Sequence, residues 1–252
     1  MHLKKVGVQW DGAYQLLLHD EIMEDHLPET WLLNAESFHW MWGRYPELVL
    51  KPTGRKEGGR EIRLRRLDCQ WAEWRMDMKS VRIPTEELLP RLQRLMHKSR
   101  APYLLQQAIP RAEVRGQPFE VRVLTHRIEP KQAEWQVLGM IVVMAEEATE
   151  RKKFKEDRFS LQTALEESNI CSPDAQRLTD TMTRLAIRAA ERLSPSFPRQ
   201  RMLGFDFAVD FQGWVWLLDA FPKPSLALFL EQLRKKDITQ YREAAKKVRK
   251  HG

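Results

Sequence analysis

Cysteine is almost absent: Cys69 and Cys171 are the only two in 252 residues. That is too few for a disulfide framework, and the pair lacks the spacing of a zinc site. The expectation is a reducing, cytoplasmic setting. Long apolar runs are missing too. The longest, Trp135 to Ala145, is about half of the roughly 20 residues that a spanning helix needs. After Lys4 and Lys5 the chain is interrupted by Gln9, Asp11 and Asp20, so no signal-peptide core forms. No membrane partner is expected. Also lacking are a nucleophile elbow, a Walker A sequence, a dinucleotide glycine fingerprint and a paired-histidine zinc motif. Hydrolase and zinc-enzyme readings fall away, and without a repeat of fixed period so does a solenoid.

What is present is the composition of a globular chain, with 42% hydrophobic and 31% charged residues, enough for one large domain or two small ones. The formal net charge is +7, which by itself suggests a polyanionic partner. Its location decides otherwise. Residues 225–252 hold eight Lys or Arg and three Asp or Glu, so this segment alone carries +5. The body is nearly neutral, and nucleic acid, which rests on net charge alone, is not the expected partner. Residues 226–252 read as a basic helical tail, able to touch an acidic partner or simply to keep the protein soluble.

Helical and strand-like patterns alternate along the body, which points to a mixed α and β fold. Asn34 can cap a helix carrying Phe38, Met41 and Trp42, with Gly43 closing it. Leu48 to Leu50 reads as a buried strand ending at Lys51. Ile62, Leu64 and Leu67 nearly alternate with Arg63, Arg65 and Arg66, and Trp74 to Met78 alternates again, as in an antiparallel sheet with one wet face. A helix with Leu88, Leu92, Leu95 and Met96 begins near Glu87, because Pro90 must lie in its first turn. Tyr103 to Leu105, Phe119 to Ile128 and Trp135 to Met144 are strand-like. Residues 146–168 read as an exposed loop or solvated helix. Ser172 caps a further helix, with Pro173 first and Leu178, Met182, Leu185, Ala189 and Leu193 as its stripe.

Three constellations can carry chemistry. In LGFDFAVDFQGWVWLLDAFPKPS (residues 203–225), two strands flank a turn at Phe211 to Gly213. Pairing that sets Phe205, Phe207 and Val209 with Trp214, Trp216, Leu218 and Ala220 leaves Asp206 near Asp219 on the other face, roughly 5–8 Å apart. Two such carboxylates suit a Mg²⁺ ion carrying phosphates, or are two solvated surface acids. Lys51, followed by Gly54, Gly58 and Gly59, is either a phosphate clamp or the foot of a surface hairpin. Glu120 and Arg122 share a face of FEVRVL, downstream of Gln106 and Gln107. They form a structural ion pair, or they position ribose and phosphate.

In order, HLPET (residues 26–30), LVLKPTG (48–54), YLLQQAIP (103–110), FEVRVL (119–124), EWQVLG (134–139) and the hairpin ending in KPS resemble the ATP-grasp superfamily, and within it the YheC/YheD family, described as endospore-coat-associated. The resemblance implies an α+β ATP-grasp fold, two α+β subdomains with antiparallel sheets enclosing a nucleotide cleft. The expected division is an N-terminal segment and lid subdomain over residues 1–108, a core subdomain over 109–225, and the tail. It also implies ATP and Mg²⁺ as cofactors. Lys51 would contact the α and β phosphates, Gly54, Gly58 and Gly59 would cover them, and the backbone of Gln106, Gln107 and Ile109 would form the adenine hinge. Glu120 would lie near the ribose, Arg122 near the phosphates as the catalytic residue, and Asp206 and Asp219 in the metal positions. ATP-grasp ligases join a carboxylate to an amine through an acyl-phosphate.

The chain departs from this pattern where the chemistry is most demanding. The family's final Glu-x-Asn is Asp219, Ala220, Phe221, and a phenyl ring cannot coordinate a hard cation. Arg60 and Glu61 stand where a second glycine is usual. The strand Met140 to Met144 lacks the usual arginine, and a charged stretch replaces the Asn and paired glycines after it. The expectation is a nucleotide-binding fold with weakened or lost carboxylate–amine ligase activity on an unknown carboxylate or amine. A second reading is a non-catalytic scaffold with spore-coat protein partners and spore association. The domain that commonly precedes an ATP-grasp core is expected to be mostly missing, and part of the acceptor site with it.

Overall fold

The computed structural model describes residues 16–53, 61–77, 79–99, 102–127, 134–144, 160–171, 173–222 and 224. Gly54, Gly58, Gly59, Ser172, Ile128, most of the charged stretch after Met144, and the basic tail lie outside the described residues. The elements run α1 (Glu21–Glu24), β1 (Thr30–Leu32), α2 (Ala35–Arg44), β2 (Glu47–Pro52), β3 (Ile62–Arg66), β4 (Trp71–Met76), β5 (Lys79–Pro84), α3 (Leu88–Lys98), β6 (Tyr103–Gln107), β7 (Glu113–Val114), β8 (Gln117–His126), β9 (Gln136–Met144), α4 (Leu161–Glu166), α5 (Ala175–Leu193), β10 (Met202–Val209) and β11 (Val215–Phe221). They divide into two compact units, one built from Pro28–Ala108 and the other from Leu16–Leu27 together with the described residues from Ile109 onward.

The first unit is a six-stranded antiparallel sheet in the order β1-β6-β2-β3-β4-β5. Period-two patterning sends Leu48, Leu50, Ile62, Leu64, Trp74 and Leu105 to one face, where they meet Phe38 and Met41 of α2 and Leu88 and Leu92 of α3. On β3 and β4 the other face is wet, as the arginine alternation in β3 predicts, whereas Val49, Leu104 and Gln106 of β2 and β6 are buried on that side. There Glu73 accepts from Arg65 Nε at 3.0 Å and Arg75 Nη2 at 3.3 Å. α2 begins with a reciprocal cap: Ser37 N–H donates to Asn34 Oδ1, and Asn34 N–H donates to Ser37 Oγ, both at 2.9 Å, a device worth about 1 kcal/mol. Gly43 does not close this helix. It lies inside it, and the chain leaves through Tyr45 in an extended conformation. α3 starts at Leu88 with Pro90 in its first turn, where the missing N–H costs nothing.

The second unit is a five-stranded antiparallel sheet in which β8 lies between β10 and β9, with β11 beyond β10 and β7 on the first two residues of β8. α5 crosses these strands, and its stripe of Leu178, Met182, Leu185, Ala189 and Leu193 is buried throughout. Asp174 caps it: its Oδ1 accepts from Arg177 N at 2.9 Å, so Pro173 precedes the cap instead of opening the helix. An aspartate there also places a negative charge at the positive end of the helix dipole. The charged stretch ends in the short helix α4, which Ser160 caps and which buries Ala164 and Leu165. Arg127 is buried without a carboxylate partner among the described residues. Its guanidinium donates to Gln200 O, Ser194 Oγ and Pro198 O at 2.8–2.9 Å and lies 4.8 Å from the Trp135 ring centroid, which ties β8 to the chain leaving α5.

Candidate functional site

The β10–β11 hairpin is built from its turn. Asp210 Oδ1 accepts from Gln212 N at 3.0 Å and Trp214 N at 2.9 Å, and its Oδ2 accepts from Trp216 Nε1 at 2.9 Å. Gly213 sits at φ +79°, with Arg177 Nη2 3.3 Å from where a Cβ would be, so this position needs glycine. Asp210 is thus a turn builder and not part of the acidic face. Near the turn, Val209 pairs with Val215, Ala208 with Trp216 and Phe207 with Leu217; the register then shifts, and Asp206 pairs with Asp219, Phe205 with Ala220 and Gly204 with Phe221.

The shift is a bulge at Leu218. It corrects one expectation: Trp216 and Leu218 do not share the face of Phe205 and Phe207. They cluster with Ala208 and Ile109, because the parity read from the far end of the hairpin reverses near the turn. The pairing of Asp206 with Asp219 lies beyond the bulge and holds.

β8 supplies the third strand of this face. Arg122 is the register partner of Asp206 on the other side, and its Nε and Nη2 donate to Asp206 Oδ1 and Oδ2 at 2.7 and 2.9 Å. This is a bidentate fork, the strongest geometry open to the two groups. The Asp206 side chain is 9% exposed and that of Arg122 33%. The Phe221 ring centroid lies 5.0 Å from the guanidinium carbon. The hydrogen bonds that Arg122 donates to Asp206 push it above its ordinary pKa against the effect of burial, and the fields of Asp206, Glu120 and Asp219 add to this. Glu120 forms an ion pair with Arg111 Nη2 at 2.8 Å, an arginine that periodicity gave no reason to choose, since its strand contact is an isolated bridge to Asp210.

Of the remaining predicted residues that are described, Lys51, Gln106 and Gln107 stand in the first unit, and Ile109 joins the Ala208 cluster. Lys51 is the register partner of Leu104, and Gln106 of Val49, on the face away from α2 and α3. Gln106 is buried, and its Nε2 donates to Thr30 Oγ1 at 3.0 Å. Gln107 N–H donates to Glu29 O at 2.8 Å, and its Oε1 accepts from Glu29 N at 3.3 Å. Both glutamines are thus bonded within the sheet. Glu29 of HLPET is a brace: it accepts from Trp31 Nε1 at 2.7 Å, Trp40 Nε1 at 3.2 Å and Tyr45 Oη at 2.5 Å. Burial pushes its carboxyl up, but the bonds from Tyr45 and the two indoles outweigh that and hold it below the ordinary value.

Mg²⁺ can be tested against this donor set. Both oxygens of Asp206 accept from Arg122, Asp219 Oδ1 accepts from Ala220 N at 2.8 Å, and position 221 offers a phenyl ring. Among the described residues no three His, Cys, Asp or Glu side chains come together as a metal cage. The residues as arranged do not fit a divalent ion, which requires several oxygen ligands of its own.

Among solved structures, the chain is similar to the ATP-grasp ligase PsnB complexed with minimal precursor, Mg and ADP (14% identity over 94% of this chain and 57% of that one, TM-score 0.48). It is similar also to the C-terminal domain of K. lactis Pby1, an ATP-grasp enzyme interacting with the mRNA decapping enzyme Dcp2 (13% identity, 92% of this chain and 68% of that one, TM-score 0.49). A third is N5-carboxyaminoimidazole ribonucleotide synthetase from Thermotoga maritima (12% identity, 94% and 50%, TM-score 0.45). The chain thus spans little more than half the length of the PsnB ligase. No curated protein matches its sequence. The description that matches the sequence itself is "YheC/D like ATP-grasp", over residues 6–248, and with antiparallel sheets in both units the chain belongs to that family.

Proposed function

We propose that this protein binds ATP, holds Mg²⁺ weakly or not at all, and has weakened or lost carboxylate–amine ligase activity. The observation that supports the reading is the fork between Arg122 and Asp206 under Phe221. Family membership supports ATP as the ligand, while a carboxylate committed to a guanidinium is a poor ligand for a hard cation. In this reading Lys51 holds phosphate through its ammonium, the backbone around Gln106, Gln107 and Ile109 borders the adenine, and Glu120 faces the ribose. Arg122, Asp206 and Asp219 stand nearest the phosphates. Calorimetry with ATP, with and without Mg²⁺, tests it together with assays for ADP release against carboxylate and amine acceptors. Binding heat without acceptor-dependent turnover is the expected result. Absence of both heat and thermal shift with ATP in either condition would sink the reading, and robust turnover would restore a working ligase. Lys51→Met is expected to weaken ATP binding roughly 10- to 100-fold, the worth of one charge-assisted hydrogen bond. The second reading, a scaffold that never turns over ATP, is favoured by Phe221; a role in spore assembly rests on the resemblance alone.

A further inference from the structure

Three carboxylates, Glu120, Asp206 and Asp219, share one face of β8, β10 and β11 with the guanidinium groups of Arg111 and Arg122. Asp206 and Asp219 are direct register partners, and like charges directly opposite destabilise a strand pair. A cation must offset them. Arg122 faces Asp206 from the opposite neighbour strand, grips it with two bonds of 2.7 and 2.9 Å, and also feels the field of Asp219. Phe221, two residues beyond Asp219, brings its ring to within 5.0 Å of the same guanidinium, where a ring attracts a cation without offering a lone pair to a metal. Unlike a bound ion, an arginine neither dissociates nor loses its charge.

We propose that Arg122, held between the Asp206 carboxylate and the Phe221 ring, is a resident cation filling the position beside Asp206 and Asp219 where a divalent ion would otherwise bind. Arg122 then offsets the charge of the Asp206–Asp219 pair without metal, as Arg111 offsets that of Glu120. The proposal deepens the reading above, and its test uses no nucleotide, so a failure of ATP binding leaves it standing.

The experiment is a thermal melt of the full chain in chelator and in Mg²⁺, Mn²⁺ or Ca²⁺. The unmodified protein is expected to shift by less than ~1 °C. Arg122→Met, with the two aspartates left facing each other, is expected to melt lower in chelator and to gain about 4 °C or more at saturating divalent ion. Adding Asp206→Asn to that variant should abolish the gain. If Arg122→Met folds only when a divalent ion is present, that counts as the gain. Arg122→Lys, which keeps the charge, is expected to stay within ~1 °C. The assignment is overturned by a metal response of the unmodified protein or of the lysine variant as large as that of Arg122→Met, or by an Arg122→Met protein indifferent to metal.

Discussion

Asp20 and Asp206 are both buried carboxylates gripped by arginine, and they differ in what surrounds the grip. Asp20 caps α1, accepting from Ile22 N and Met23 N at 3.2 and 3.3 Å. It also receives Arg188 Nε at 2.7 Å and Arg192 Nε at 2.5 Å from successive turns of α5. Every donor there serves one acid. Among the described residues Asp206 has a single arginine, and a second carboxylate lies directly across the strand pair. The first arrangement is closed and fastens α1 to α5. The second is a balance in which removing one member leaves charge exposed to whatever ligand arrives. Burial and an arginine partner therefore do not separate a strut from a site, whereas a competing like charge does.

The largest effect expected from breaking this contrast is Asp20→Ala. It strands two guanidinium groups and uncaps α1, at a cost of about 3 kcal/mol, or roughly 6–12 °C in melting temperature. No metal should restore it. Arg122→Met ranks next, at about 2 kcal/mol in chelator, and differs in being recoverable by divalent ions. Phe221→Ala removes only the ring above the guanidinium and is expected to cost about 1 kcal/mol, read by chemical denaturation with an unchanged m-value.

The smallest effect is confined to acid. Burial pushes the Asp20 carboxyl up, but the bonds from Arg192 and Arg188 outweigh it and hold it below its ordinary value of 3.8. Its folded pKa is depressed, so its stabilisation is complete above pH of about 5 and is lost as pH falls through 3.8 toward the folded value. Asp20→Asn keeps an acceptor for the cap and should flatten that acid limb of the stability curve. An unchanged limb would mean the carboxylate contributes nothing as a charge.

The elements most legible in the sequence are those whose cause is local. Asn34 and the Phe38–Met41 spacing, Pro90 in a first turn, and the stripe on α5 each follow from a few neighbouring residues. Gly43 misleads, because a helix tolerates an interior glycine when its flanks are packed. The acidic pair was readable from the hairpin, but the partners of its neighbours were not. Arg111 meets Glu120, and Arg188 meets Asp20, 168 positions apart. Such contacts exist only once strands and helices have docked, and no periodicity encodes them. Gln106 shows the converse: an unusual polar residue in an apolar strand is explained within the described residues by its bond to Thr30.

The bulge in the last hairpin also sets how that segment can change length. Leu218 is the residue the register skips, with Leu217 opposite Phe207 on one side and Asp219 opposite Asp206 on the other. Deleting it would let the ladder close into a regular hairpin with the same two aspartates still facing each other, at the loss of one apolar side chain beside Ile109 and Ala208. Deleting a residue between Asp219 and Phe221 would instead carry the ring to the opposite face. One position of this hairpin is therefore spare length, and its neighbours on the acidic side are not.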